Sequence, residues 1–349
     1  MVAIIVVVVA LGYNLPVIAL DNTTWMILVG LYILVASVAP VWILLQPRDY
    51  LSSYLLYGMI ALALVGIIGA GVMGNAASLD IPAFTGFSAA AGTSKVAASG
   101  FLFPALFITI ACGAVSGFHA TQSPLMARCL KTEREGLPVF GGAMITEGII
   151  AFIWAAAALT FYGSPEALGG ATANGKAPAL AIQTISESWM GSVGSILVMI
   201  GVVILPISTR DGALRVTRLM IADCFKLSQE QLSRRLMIAI PLFAAAIAVS
   251  SMDYAVIWQY FGWANQLLAA ATLWAVSIYL RSKNRCCWPA AAPAAFLSLV
   301  VFQYLFSSSE MCGFSEEASL IASVLLTAVI GVLCLFRGSG LEKAEEPSL

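Results

Sequence analysis

Charged residues are what this sequence has least of. Only 10% of its 349 residues are charged and 60% are hydrophobic, whereas soluble domains carry about 25% charged residues. Apolar runs of roughly 20 residues recur along the chain, each long enough to cross the hydrocarbon core of a bilayer. Because these runs do not alternate apolar and polar residues, they exclude a β-barrel. The sequence therefore predicts an all-α, polytopic membrane protein.

Histidine is nearly absent as well, since His119 is the only one in the chain. A single histidine gives most metalloenzyme sites too few ligands. The seven cysteines show no metal-ligand spacing, and we interpret them as free thiols. The sequence contains no P-loop, no Ser-His-Asp set and no basic patch interleaved with aromatics. We therefore expect no enzyme activity, no metal, no cofactor and no nucleic-acid partner.

The apolar runs predict ten transmembrane spans, near residues 2–20, 23–46, 51–73, 99–118, 137–162, 190–209, 234–250, 256–280, 288–307 and 317–336. Of the 17 basic residues, all except Lys95 and Lys176 follow an even-numbered span. Lys and Arg are enriched in cytoplasmic loops. This asymmetry predicts that both termini are cytoplasmic.

The sequence predicts one internal boundary, near residue 190, where a long Gly/Ala/Ser-rich outer loop ends. This boundary divides the membrane part of the chain into two regions. Residues 1–189 then form one transmembrane region, and residues 190–337 form a C-terminal transmembrane region of five helices. Residues 338–349 are polar, and we expect them to form a disordered cytoplasmic tail.

The fourth apolar run is interrupted at SGFH, residues 116–119. In lipid, unwound backbone is tolerated only beside protein or a wet cavity, and transporters use such breaks to bind substrates and ions. Ser116, Gly117 and His119 are therefore candidate substrate- or ion-binding residues. The alternative is that the helix simply ends at the cytoplasmic interface, where its polar residues face water. His119 is also a candidate proton relay, because imidazole titrates near neutral pH.

Glu147 lies inside the predicted span 137–162, about ten residues from its cytoplasmic end, or roughly 15 Å deep at the helical rise. A carboxyl group at that depth is costly unless it is protonated or paired. We therefore rank Glu147 above His119 as the candidate coupling residue. The alternative is a neutral glutamate that hydrogen-bonds to a neighbouring helix for structural reasons alone.

A second interruption is predicted at PISTRDG, residues 206–212. Ser208, Thr209 and Asp211 either line a second discontinuous helix or belong to a solvated helix end with weak surface ion pairs. The arginines beyond residue 214 are assigned to positive-inside anchoring. Asn265 is costly in lipid, so we expect it to face the bundle and bind either an adjacent helix or a substrate.

Several long motifs, in this order, are similar to the signature of the carbon starvation protein A family. The resemblance extends over about residues 24–280, and its motifs read VWILLQPRDYLSSYLLYGMI, PAFTGF, LFPALFITIACGAVSGFHATQSP, MARCL, GGAMITEGIIAFIWA, PISTRDGALRVTRLMIAD and YFGWANQLLA. The resemblance implies a secondary active transporter of the bacterial inner membrane that takes up peptides, or small carboxylates such as pyruvate, during carbon starvation. Its partners would be the lipid bilayer and the small-molecule substrate. Its coupling ion would be a proton, with sodium as the alternative.

The same resemblance implies a fold of the amino acid–polyamine–organocation (APC) superfamily, with LeuT-like inverted repeats of five helices and broken helices at the site. Residues 1–189 would correspond to the later part of the family's core domain. Family members carry several helices before the segment that matches QPRDYL. The chain is therefore expected to be N-terminally truncated: a fragment, a shortened gene product, or a half that works with a separate chain supplying those helices. The alternative function is a non-transporting membrane sensor or accessory subunit derived from a transporter.

Overall fold

The structure, a computed structural model, describes residues 21–40, 45–72, 102–172, 178–250, 254–308 and 311–337. Every regular element in these ranges is helical. The predicted first span, the outer loop before residue 99 and the predicted tail 338–349 lie outside the described residues.

Eleven α-helices are described, in the order α1 Asn22–Val38, α2 Leu45–Val72, α3 Leu102–Ala114, α4 Gly117–Ala127, α5 Gly142–Tyr162, α6 Pro165–Thr172, α7 Pro178–Cys224, α8 Leu232–Ser250, α9 Tyr254–Ser282, α10 Trp288–Ser307 and α11 Glu316–Arg337. Six stretches among them are long and apolar enough to cross a membrane: Pro47–Gly69, Glu133–Tyr162, Gly194–Cys224, Leu232–Val249, Trp288–Ser307 and Glu316–Leu335. The prediction of an all-α, polytopic membrane protein is therefore confirmed.

The described helices form two compact units, each built from separate stretches of sequence. The first unit contains α1, α2, α7, α8 and the end of α5 from Phe152, and the second contains α3, α4, the start of α5, α6 and α9 to α11. The predicted division into residues 1–189 and 190–337 concerns transmembrane regions rather than these packing units, and it stays a prediction.

In the first unit, α7 is the central helix, and α1, α2 and α8 all pack against it. Close contact is possible because α7 presents small residues. At Gly201, a Cβ atom would lie only 3.0 Å from the Cγ atom of Met59 on α2. Small residues at helix interfaces let backbones approach closely, which is the main source of helix association in lipid.

In the second unit, α9 is the central helix and packs against α3, α4, α10 and α11. Its alanines Ala269 and Ala270 are buried in one core cluster, where they pack with Leu297 of α10. Polar side chains add hydrogen bonds between the helices. The indole of Trp274 donates to the hydroxyl of Ser298 over 3.0 Å. Such pairs satisfy polar groups that lipid cannot.

The break predicted after the fourth apolar run is confirmed. Helix α3 ends at Ala114 and α4 begins at Gly117. Between them, Ser116 is extended (φ −104°, ψ 139°), and its hydroxyl accepts a hydrogen bond from the Phe118 backbone amide over 3.1 Å. Serine is a preferred residue at this capping position because it satisfies an amide that the helix cannot.

The second predicted break, at residues 206–212, is wrong. Helix α7 continues through Pro206 to Cys224, and its one non-helical residue is Gly191 (φ 66°, ψ −171°). Proline removes only one helical hydrogen bond, whereas unwinding the segment would expose several backbone groups to lipid. The positive φ at residue 191 is accessible to glycine at little cost, which explains why the helix bends there.

Candidate functional site

The α3–α4 break is held by a side chain from α9. The Oδ1 atom of Asn265 accepts from the Phe118 backbone amide over 2.9 Å and from the Ser116 hydroxyl over 3.1 Å. Ser116 and Asn265 are both buried. Two roles are predicted for Asn265, and the structure shows one of them, the contact with an adjacent helix.

Gly117 lies on α4 in close contact with α9. A Cβ atom at this position would lie 2.7 Å from the Cβ of Leu268 and would overlap the backbone oxygen of Asn265. Any side chain would therefore push the two helices apart. Gly117 positions the break by its lack of a side chain, so the structure gives it a packing role beside the predicted binding role.

His119 and Glu147, predicted separately, are brought together. The Nε2 atom of His119, on α4, lies 2.8 Å from the Oε2 atom of Glu147, on α5. Both side chains are partly exposed, 31% and 44% respectively. The imidazole Nδ1 atom is buried and has no hydrogen-bond partner among the described residues. A distance of 2.8 Å is that of a hydrogen bond between an imidazole nitrogen and a carboxylate oxygen, so the two side chains are in direct contact.

The helical path to Glu147 is irregular. A short 3₁₀ turn at Glu133–Glu135 and a π-helical turn at Leu137–Gly141 lead directly into α5. Glu147 lies near the centre of the continuous apolar stretch Glu133–Tyr162. π-Helical turns inside helices are often found near functional sites.

The predicted residues of α7 lie in the first unit, where they have different environments. Asp211 is fully buried and is paired with Arg48 of α2. One of its oxygens lies 3.9 Å from Arg215. Thr209 is exposed, and its hydroxyl donates to the Leu205 carbonyl over 3.0 Å. Ser208 lies in the same helix.

The assignment of the arginines beyond residue 214 to simple anchoring is wrong for two of them. The exposed fractions of Arg215 and Arg218 are only 2% and 4%. With Arg235 of α8, they donate to the backbone carbonyls of residues 36–39, at the end of α1. The last carbonyls of a helix have no partner within it and carry partial negative charge. The three guanidinium groups therefore cap α1.

Sequence reasoning missed Arg48, Arg215 and Arg218 as buried groups. A signal was present, because Asp211, Arg215 and Arg218 recur at the spacing that places side chains on one face of a helix. Nothing in the sequence, however, identifies the end of α1 as the surface that this face meets.

Comparison with known proteins identifies a family whose members this chain resembles in sequence. The model of the carbon starvation protein CstA family matches residues 1–193 and 164–303. The peptide transporter CstA of Escherichia coli is 30% identical over 86% of this chain and 52% of its own length. The peptide transporter CstA of Bacillus subtilis is 28% identical over 90% of this chain and 60% of its own length.

A third relative, from Haemophilus influenzae and described as uncharacterized, is 41% identical over 33% of this chain and 83% of its own length. No solved structure matches the chain. The chain spans about half the length of the Escherichia coli transporter that it matches. Because the family model covers most of its residues, and the apolar helices agree with a multi-pass membrane protein, the chain belongs to the carbon starvation protein CstA family.

Proposed function

We propose that the chain takes part in secondary active transport of peptides, or of small carboxylates such as pyruvate, across the bacterial inner membrane during carbon starvation. The proposal is supported by membership of a family whose curated relatives are named peptide transporters. The observation that carries it is the 2.8 Å contact between His119 Nε2 and Glu147 Oε2. In this proposal the pair is the proton-coupling group.

The coupling follows from the charge of the pair. When Glu147 is ionised and His119 is neutral, the pair carries a net charge of −1. Addition of a proton brings the net charge to zero, whichever of the two residues holds it. A net charge is costly inside a bilayer, so protonation would favour the conformation in which the pair is sequestered from water. Release of the proton on the cytoplasmic side of the membrane would return the protein to its starting conformation.

The substrate would bind at the α3–α4 break, which is adjacent in sequence to the coupling pair. Ser116, Gly117 and Asn265 form the break, and an ionisable histidine follows two residues later. Broken helices expose backbone groups to substrates in transporters. The proposal also keeps three residues of α7 as candidate substrate- or ion-binding residues: Ser208, Thr209 and Asp211. Asp211 is a buried carboxylate.

The topology belongs to the same proposal. It has ten spans, both termini in the cytoplasm and the LeuT-like inverted repeats of the APC superfamily. The distribution of basic residues supports the orientation, because all but Lys95 and Lys176 fall on one side. The break between α3 and α4 supports a broken-helix fold.

The test is uptake of labelled pyruvate or a labelled dipeptide into right-side-out membrane vesicles. Vesicles are prepared from a deletion strain of the native host that carries the wild type or a variant, so that any native partner is present. An imposed gradient, acidic outside, should accelerate wild-type uptake. Glu147→Gln removes the carboxylate of the pair, so it should lower the initial rate at least about tenfold and remove its dependence on the gradient.

The matched control is Glu133→Gln, which makes the same change at an exposed glutamate that begins the same apolar stretch. This variant should keep both the rate and the response to the gradient. Glu147→Gln vesicles that still respond to the gradient would contradict the coupling role. A wild type that transports neither substrate would contradict the proposed function itself.

The expected separate chain that supplies further helices stays a prediction. Affinity purification of the tagged chain from native membranes tests it. We expect one polytopic membrane protein to copurify in a fixed ratio. Gradient-driven uptake by the purified chain alone in proteoliposomes would show that no such partner is needed.

A further inference from the structure

Four arginines of the first unit are connected: three donate to the carbonyls at the end of α1, and the fourth pairs with Asp211. They are Arg48, Arg215, Arg218 and Arg235, here called the arginine cluster. Arg215 and Arg218 are buried, whereas Arg48 and Arg235 are partly exposed. The cluster does not contain the residues of the α3–α4 break, and the proposed transport mechanism makes no use of it.

The cluster has more positive than negative charge. The carboxylates that pair with it among the described residues are those of Asp211, which is buried, and Asp49, whose side chain is 49% exposed. The charged side chains that act on Arg218 are Arg215 and Arg235, which are both cations. Four guanidinium groups therefore face two carboxylates, only one of which is buried.

The end of α1 offsets only part of this excess. A helix C-terminus acts as roughly half a negative charge, and that half charge is shared by three guanidinium groups. Buried cations without a counter-charge are strongly destabilising. The observed arrangement therefore leaves a requirement for a further anion.

Hydrogen-bond donors remain available in the same place. Among the described residues, the Nε atoms of Arg215 and Arg218 and the Nε2 atom of Gln229 are buried and have no acceptor. Gln229 itself accepts from Arg218 and, through its backbone oxygen, from Arg235. Because Gln229 and Arg235 are only partly buried, this side of the cluster is the one that a small ligand can reach.

We propose that the arginine cluster is a binding site for an oxyanion, either a carboxylate or a phosphate group. Guanidinium groups bind both through paired N–H donors in a fixed plane. The oxyanion could come from a soluble metabolite or from the head group of an anionic phospholipid, and both sources share this chemistry. The inference does not depend on transport, since it requires only binding.

The test measures thermal unfolding of the full chain, purified into phosphatidylcholine nanodiscs. Three probes are compared: pyruvate in solution, inorganic phosphate in solution, and replacement of a third of the lipid by phosphatidylglycerol. A ligand that binds only the folded protein raises the unfolding midpoint in proportion to ln(1 + [L]/Kd). We expect at least one probe to raise the midpoint, and the shift to shrink with added salt.

The discriminating variants are Arg235→Gln and Arg234→Gln, which remove the same charge from neighbouring positions of α8. Arg235 belongs to the cluster, whereas Arg234 is exposed. Arg235→Gln should weaken binding about tenfold, the effect of losing one charge-assisted hydrogen bond, and Arg234→Gln should keep the wild-type affinity. Arg235→Lys keeps the charge but loses the planar donors, so it should fall between them.

The pattern of shifts identifies the source. A shift with pyruvate or phosphate in pure phosphatidylcholine identifies a soluble oxyanion, and a shift with phosphatidylglycerol alone identifies a lipid head group. Either result supports the site when Arg235→Gln reduces the shift and Arg234→Gln does not. Absence of a shift with all three probes would overturn the proposal, as would equal losses in Arg234→Gln and Arg235→Gln. These results are independent of uptake, so failure of this site and failure of the transport proposal are separate outcomes.

Discussion

Ser116 and Asn265 are 149 residues apart in sequence, yet the Ser116 hydroxyl lies 3.1 Å from the Asn265 Oδ1 atom. Both groups also accept from the same donor, the backbone amide of Phe118, over 3.1 Å and 2.9 Å. The amide at the start of α4 is therefore shared between a local cap and a cap from another helix. The position of α9 thus determines where the chain can resume its helix after the break.

The first prediction concerns this shared cap. Asn265→Ala removes one of two acceptors from the partly buried Phe118 amide and the acceptor of the buried Ser116 hydroxyl. We expect a loss of about 1–3 kcal/mol in the free energy of unfolding. Ser116→Ala should cost less, because it removes one acceptor of the amide and leaves no other donor without its acceptor. The double variant should be worse than the sum by about 0.5 kcal/mol or more, since the amide then has no side-chain acceptor. Denaturant titration of the purified protein measures all three, and strictly additive losses would contradict the shared cap.

The second prediction concerns the contact at Gly117. Gly117→Ala places a Cβ atom 2.7 Å from the Leu268 Cβ, so α4 must move away from α9. We expect destabilisation of about 1–3 kcal/mol, as for other overpacked sites. The matched control is Gly148→Ala on α5, where a Cβ atom would meet nothing within 4 Å. This variant should leave the free energy of unfolding unchanged or raise it slightly.

A double variant tests which atoms make this contact. Leu268→Ala shortens the neighbouring side chain, but it keeps the Cβ atom and the backbone oxygen of Asn265 that the new methyl group meets. Leu268→Ala should therefore fail to rescue Gly117→Ala. Full recovery of stability in that double variant would contradict the geometry.

The sequence predicts the α3–α4 break but not the contact between His119 and Glu147. The pattern SGFH predicts the break itself, because serine caps helices and an interruption in lipid needs polar groups to satisfy it. His119 and Glu147 each stand out in sequence, one as the single histidine and the other as an acid in an apolar span. Their 2.8 Å contact does not follow from sequence, because it depends on how the start of α5 returns towards α4.

The α7 segment shows the opposite case. Pro206 and Gly212 are typical of a helix break, yet the helix continues, and the non-helical residue is Gly191. Single prolines are tolerated in membrane helices, so proline alone is a weak signal there. The burial of Arg215 and Arg218 is only partly predictable. Their spacing places them on one helix face, but their acceptors belong to α1, which nothing in the sequence identifies as their partner.

The third prediction uses the charge of the arginine cluster. Asp211→Asn removes the one buried carboxylate that faces Arg48 and Arg215, so we expect a loss of about 3–5 kcal/mol. Arg48→Gln removes one cation from a cluster with excess positive charge, so it should cost less. Asp49→Asn, at a half-exposed carboxylate, should change stability by less than about 1 kcal/mol.

The order of these three losses is the informative result, measured by denaturant titration at low and high salt. Asp211→Asn should be the most damaging at both salt concentrations, because a buried group is screened very little. If Arg48→Gln proved more damaging than Asp211→Asn, the cluster would not have excess positive charge. That result would also weaken the case for an oxyanion there.

The fourth prediction tests the membrane topology with cysteines that the chain already contains. Cys129, Cys224, Cys286 and Cys312 are exposed. The first three follow even-numbered predicted spans, and Cys312 follows the ninth. With cytoplasmic termini, a membrane-impermeant maleimide added to intact spheroplasts should label Cys312 alone, and permeabilisation should expose the other three. Cys287, which is buried, should stay unlabelled in both conditions.

Single-cysteine variants, with the other cysteines replaced by serine, assign the label to one position at a time. The comparison of Cys286 with Cys312 is the most direct, because only α10, Trp288–Ser307, lies between them. Helix α10 contains 20 residues, which span about 30 Å at the helical rise and match the thickness of the hydrocarbon core. The two cysteines must therefore lie on opposite sides if α10 crosses the bilayer. Labelling of both cysteines on the same side of the membrane would show that α10 does not span. The membrane side assigned to the elements that follow α10 in the chain would then be reversed.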